Sequence, residues 1–104
     1  MGEGGLLRCY LSGKSILRLE RGKPMRYVYL LRSLSHPNQH YVGSTQDIHR
    51  RLKEHNTGGS SHTNKFVPWK CVVAICFTDD AKADAFERYL KSGSGRAFAG
   101  RHFW

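Results

Sequence analysis

Five side chains carry the chemistry available to this chain: Tyr29, Tyr41, Arg51, His55 and Glu87. Arg51 and His55 are four residues apart, so on a helix they share one face. Tyr29 and Tyr41 lie in short runs of strand formers, and Glu87 lies in a segment of helical period. Gly43, two residues after Tyr41, marks a strand position suited to close approach by a neighbouring group. Such a set suits phosphodiester hydrolysis, which needs an activated water, charge stabilisation on the phosphoryl oxygens and help for the leaving alkoxide. A guanidinium fork gives phosphate two parallel hydrogen bonds. A single carboxylate is enough to hold Mg²⁺, which keeps waters and substrate oxygens in the rest of its octahedron. A phenol, with an ordinary pKa of about 10, works as a general base only when nearby positive charge pulls it down.

The positioning elements follow from pattern. Residues 26–32 predict a first strand and residues 39–43 a second, joined as an antiparallel hairpin through a turn containing Pro37 and Asn38. Ser44 is the expected N-cap of a helix that carries Asp47, Ile48, Leu52 and His55, and Gly58-Gly59 stops it. Residues 60–68 are polar and loop-like. Residues 69–77 predict a buried third strand. Asp79 caps a last helix running to about Lys91, with Ala83, Phe86 and Leu90 as its apolar stripe, and Gly93 and Gly95 end it. Residues 91–96 read as a helix C-cap with a flexible turn rather than a phosphate-cradling loop. Residues 96–104 form a basic, aromatic tail that packs back on the domain. The expected fold is α/β of the α+β kind, a small three-stranded antiparallel sheet flanked by helices.

The chain has 104 residues and a formal net charge of +9, which allows one small domain. Residues 1–24 predict a poorly ordered basic leader, with Met25 as the natural start, and residues 25–104 the domain proper. The domain alone has twelve Lys/Arg against six Asp/Glu, a surplus of six positive charges. A polyanionic partner explains that surplus once a phosphate-cleaving site is suspected. Lys65, Lys70, Arg96 and Arg101 are the expected backbone contacts, with Phe66, Trp69 and Phe98 nearby as candidates for base stacking, although such aromatics are more often core. Cys9, Cys71 and Cys76 make an odd count without a Cys-x-x-Cys pair, which points to packing cysteines, a reducing compartment and a cytoplasmic (or bacterial nucleoid) location. No apolar run approaches the roughly 18–20 residues of a membrane span.

In this order and spacing, the residues resemble a GIY-YIG nuclease domain. Tyr27-Val28-Tyr29 stands for the first motif and Tyr41-Val42-Gly43 for the second. Arg51 follows Tyr41 by ten residues, His55 comes one helical turn later, and Glu87 sits where the family has its metal-binding glutamate. The resemblance covers about three quarters of the chain and is similar to the N-terminal catalytic domain of the bacterial excision-repair nuclease subunit. It implies a DNA endonuclease that uses Mg²⁺ or Mn²⁺ on Glu87. It also implies that Tyr29 and Tyr41 activate and orient the water, without deciding which is the base, and that a protein partner supplies targeting. This chain departs from the pattern in having Tyr27 for the first-motif Gly, Ser44 for a lysine found in some relatives, and no Asn beyond Asn64. The alternative reading is a non-catalytic nucleic-acid-binding module that keeps the fold. Singly, each residue also has a plain structural role. The tyrosines suit a cross-strand pair, Arg51 a solvated cation, His55 a helix-end cap, and Glu87 an i,i+4 pair with Lys91.

Overall fold

The computed structural model describes residues 25–59 and 61–104, so the leader expected over residues 1–24, with Cys9, lies outside the described residues. In chain order the elements are β1 (Arg26–Ser33), β2 (His40–Thr45), α1 (Ile48–Asn56), a 3-10 turn (Asn64–Phe66), β3 (Trp69–Phe77), α2 (Asp80–Leu90) and α3 (Gly93–His102). The strands form one sheet in the order β2-β1-β3, with both pairings antiparallel. The α+β architecture is the expected one, with one helix more than the pattern announced.

β1 is the central strand and is covered on both faces, which is why residues 27–31 read as an almost unbroken apolar run. Alternation sends Tyr27, Tyr29 and Leu31 to one face, where they cluster with Ile48, Trp69 and Cys71. Val28 and Leu30 go to the other face and meet Ala83, Leu90 and Ala99. α1 therefore covers one side of the sheet and the α2–α3 pair the other. Register sets Tyr29 opposite Gly43 and Leu31 opposite Tyr41, so the two tyrosines are diagonal neighbours on the α1 face. β3 bulges at Val72, because Leu30 faces Val73 while Leu31 faces Cys71.

Several expectations are corrected. Asp47, not Ser44, caps α1: its side chain accepts from the Arg50 backbone N–H at 3.0 Å. Ser44 and Thr45 are taken up by the ladder to β1, which prolongs β2 beyond Gly43. Asp79 caps α2 as expected, accepting from the N–H groups of Ala81 and Lys82. Beyond it the flexible turn and tail are replaced by α3, whose N-cap is Ser92. Three glycines, Gly93, Gly95 and Gly100, lower helix propensity and conceal this helix from pattern reading. Gly95 has a packing reason, since a Cβ there would overlap the Tyr89 carbonyl where α3 turns back on α2. Trp69 is not available for base stacking; it is 4% exposed and part of the core. Its backbone N–H is held by Asn56 and its indole N–H by the Thr63 carbonyl at 2.9 Å. Cys71 is buried and Cys76 half-buried, Cys71 within the α1-face core and Cys76 packed against it, in the packing role expected of them.

Gly95→Ala is expected to cost about 2 kcal/mol or more through overpacking. A Cβ at Gly100 meets nothing within 4 Å, so Gly100→Ala is expected to stabilise by about 0.5–1 kcal/mol. Urea midpoints of the two variants check the pair, and similar midpoints would contradict the tight crossing.

Candidate active site

On the α1 face, the central strand, the edge strand and the helix converge on one hydrogen bond. The Tyr29 hydroxyl lies 3.0 Å from His55 Nε2, and both residues are buried. On its other side, the His55 ring meets Thr63 Oγ1 through Nδ1 at 2.9 Å. Both ring nitrogens are thus engaged, and the imidazole is fixed inside the core at 0% exposure. The Tyr41 ring completes the group, with its centroid 4.7 Å from that of His55 and 6.2 Å from that of Tyr29. His55 is no helix-end cap.

Gly43 is what lets Tyr29 reach this position. A Cβ built at Gly43 would stand 2.6 Å from the Tyr29 hydroxyl oxygen and 2.9 Å from Cε2 of Tyr41. Any larger residue at that point of β2 must displace one of the two phenols. The close approach expected of Gly43 is therefore made by a side chain of the site itself.

Arg51, half-buried on α1, is held by Glu54, whose Oε1 accepts from Nη1 at 2.8 Å. That bond keeps the Glu54 carboxyl below its ordinary range, and it is the largest influence holding Arg51 charged. Burial pushes the Tyr29 phenol up to about 12, and the neighbouring Tyr41 adds to the rise. Arg51 pulls the other way, both by hydrogen bonding and by its charge. Glu87 raises the phenol slightly further, so its carboxylate is felt at Tyr29 from α2. His55 is pushed down to about 4, first by burial and then by the Arg51 charge. At neutral pH the site holds a protonated phenol, a neutral imidazole and a charged guanidinium.

Glu87 belongs to the helix on the opposite face, which packs against both β1 and β2. It is half-buried and its Oε2 accepts from Lys91 Nζ at 2.9 Å. The i,i+4 pair is real, and it leaves the carboxylate at the rim rather than in the core. No group of three or more His, Cys, Asp or Glu residues is arranged to hold a metal among the described residues. A closed zinc site, which needs four nitrogen or sulfur ligands, is therefore not what these residues build. One accessible hard oxygen fits a Mg²⁺- or Mn²⁺-like ion that keeps its waters.

The structure thus brings Tyr29, Tyr41, Arg51 and His55 together, with Glu87 joined to them electrostatically. The four cations expected at a nucleic-acid surface are distributed over three elements. All four are exposed, but Lys65 lies in the 3-10 turn, Lys70 on β3 at the far edge of the sheet, and Arg96 and Arg101 on α3. Thr63 and Glu54 are the site residues that sequence reasoning missed. The i,i+3 spacing from Arg51 was a usable signal for Glu54. Thr63, in a polar loop without period, offered none.

A small antiparallel sheet with two phenols, an arginine and a histidine clustered on one face and a carboxylate reaching in from the other defines a class of catalytic domain. Residues 25–99 match the GIY-YIG catalytic domain, and the chain belongs to the GIY-YIG family. Among curated relatives, it is 46% identical over 61 residues to the structure-specific endonuclease subunit SLX1 of Malassezia globosa, covering 55% of this chain and 14% of that protein. It is 46% identical over 66 residues to the subunit of the same name from Kluyveromyces lactis, covering 57% and 23% respectively. With that of Candida dubliniensis it shares 38% identity over 82 residues, 72% of this chain and 27% of the relative. The matched segments thus span at most about a quarter of these relatives' lengths. No helix among the described residues is long and apolar enough to cross a membrane.

Two expectations follow from this geometry. Because the folded His55 titrates near 4 and an unfolded histidine near 6.5, the unfolded chain binds the extra proton between those values. The His55 contribution is full above pH 6.5 and is lost as pH falls towards 4, a difference on the order of 2–3 kcal/mol. Urea unfolding across that window should show a steeper acid loss in the wild type than in His55→Gln. Gly43→Ala should keep the fold at a cost of about 1–3 kcal/mol while displacing the Tyr29 hydroxyl. The Tyr29 ring resonances report this displacement by NMR, and unshifted resonances would contradict it.

Proposed function

We propose that this domain is a divalent-metal-dependent DNA endonuclease that hydrolyses phosphodiester bonds, with Tyr29, Tyr41, Arg51, His55 and Glu87 as its working residues. The observation that carries the reading is the buried Tyr29–His55 hydrogen bond beside Arg51, kept free of obstruction by Gly43. A neutral histidine held at both nitrogens fixes the phenol beside Arg51 in one orientation.

The magnitudes decide what His55 does. With the phenol pushed up to about 12 and the imidazole pushed down to about 4, both chiefly by burial, the shared proton belongs on the phenol. His55 therefore orients the phenol and does not deprotonate it. When Tyr29 donates to Nε2, the ring proton sits on Nδ1 and is given to Thr63 Oγ1. Tyr29 becomes a base only when positive charge near it outweighs burial, and Arg51 already supplies part of that charge. A Mg²⁺ or Mn²⁺ ion held by Glu87 would add more, and would stabilise negative charge on the phosphoryl oxygens and the leaving alkoxide. Arg51 presents its fork to the phosphate, Tyr41 holds the water against Tyr29, and Glu87 would hold the ion.

The relatives' names supply two further parts of the proposal. A "structure-specific endonuclease subunit" suggests that this chain cuts DNA chosen by its structure, in repair or recombination, and that a partner subunit takes part. A second reading, a binding module that does not cut, is favoured by one feature alone, the missing Asn beyond Asn64.

Glu87→Ala separates these readings. Cleavage of branched DNA in Mg²⁺ or Mn²⁺ should fall at least ~100-fold, with salt-sensitive DNA binding largely kept. Binding without metal-dependent cutting in the wild type would instead establish the second reading. Because the reacting phenol must lose a proton, the single-turnover rate should rise with pH through the 7–9 range, approaching tenfold per unit. A flat profile over that range would exclude Tyr29 as the base.

A further inference from the structure

On the face covered by α2 and α3, an open cavity of about 330 Å³ lies between β2 and the junction of the two helices. Lys91 and Arg96 are its exposed cations, His40 and Trp104 its aromatic wall, and buried Leu90 part of its apolar lining. Tyr41 also lines it, so the cavity adjoins the phenol cluster through one shared residue. Lys91 gives a second link, because this lining residue is bonded through its ammonium to Glu87 at 2.9 Å.

Charge and shape agree on the kind of ligand. No Asp or Glu side chain lines the cavity, and Arg96 makes no ion pair among the described residues. The His40 and Trp104 rings stack with centroids 3.8 Å apart and planes within 6°. Arg32 lies over the same indole at 5.8 Å, and its Nε is buried without a hydrogen-bond partner. This corner of the molecule is therefore cationic and aromatic at once. Its volume is at the lower end of small-molecule sites, enough for one nucleotide and too small for a base pair.

We infer that this cavity receives one unpaired nucleotide of the DNA next to the scissile phosphate, with its phosphate on Lys91 and Arg96 and its sugar and base against the apolar and aromatic wall. The placement beside the scissile bond rests on the endonuclease reading above. A nucleotide within a duplex must be unstacked and unpaired before it can enter, whereas one at a branch or a frayed end is already free. The cavity thereby selects DNA by structure without reading its sequence.

The test is equilibrium binding in EDTA at fixed salt, by fluorescence anisotropy, of a splayed-arm DNA and a fully paired duplex of equal length. Wild type should favour the splayed DNA by ~10-fold or more. Arg96→Ala and Arg96→Glu should reduce that preference to ~2-fold or less, while Arg96→Lys retains most of it. Circular dichroism checks that each variant is folded, which is expected because Arg96 is exposed. No preference in the wild type, or a preference that survives Arg96→Glu, would overturn the inference. So would displacement of the splayed DNA by micromolar dAMP, since that would mark a site for free nucleotides. A cleavage assay in Mg²⁺ and Mn²⁺ runs in parallel. Preference without cutting would sink the endonuclease reading and leave the nucleotide subsite standing, and cutting without preference would do the reverse.

Discussion

The hydrogen bond between the Tyr29 hydroxyl and a fully buried, neutral His55 is the constraint around which the rest of this domain is arranged. Neither group is inexpensive to bury, and a polar atom left unmatched in a core costs about 1–3 kcal/mol. The fold avoids that cost by matching each one. Tyr29 finds His55, His55 finds Thr63, and the Thr63 carbonyl finds the Trp69 indole. Four elements are tied by this chain of contacts: the central strand, α1, the loop after it and the start of β3. The same contacts set the ionisation of the site. Burial that stabilises the packed state also drives the phenol up and the imidazole down, so the free domain rests with Tyr29 protonated.

The sheet separates two tasks. Its α1 face carries the phenols, the arginine and the histidine in a cluster whose geometry is fixed by packing, with Tyr29 and His55 buried and Tyr41 and Arg51 half-buried. Its other face carries Glu87 and the cationic cavity beside Trp104, where groups are exposed enough to meet an ion or a polyanion. Tyr41, from the edge strand β2, belongs to both environments. Among the described residues β2 is an edge strand paired on one side only, and β1 in the middle supplies the rigidity. Gly43 is where these requirements meet, since the strand must pass close enough to Tyr29 that no side chain fits between them.

Much of this was legible in the sequence. The three strands, the first two helices and the five candidate residues follow from periodicity, spacing and family resemblance, because each rests on local pattern. What was missed depended on tertiary context. Ser44 loses the capping role to Asp47 because pairing with β1 takes it into a strand. α3 is hidden by glycines, one of which serves a close crossing that a single sequence does not display. Trp69, a base-stacking candidate that also opens the strand read as buried, takes the core role, and its burial comes from α1 and β1 closing over it. Thr63 carries no periodic or charge signal at all. Its role exists only because the loop returns to His55, a contact across eight residues.

Single-turnover cleavage of one branched DNA by wild type, Tyr29→Phe and Tyr41→Phe, each checked for native folding, tests the central claim most directly. Phenylalanine keeps the ring and removes only the hydroxyl, so packing changes little and proton transfer is lost. The account predicts that Tyr29→Phe loses a factor on the order of 10²–10⁴ and that Tyr41→Phe loses less. Full activity in Tyr29→Phe would contradict it, and the buried hydrogen bond to His55 would then be a device of stability alone.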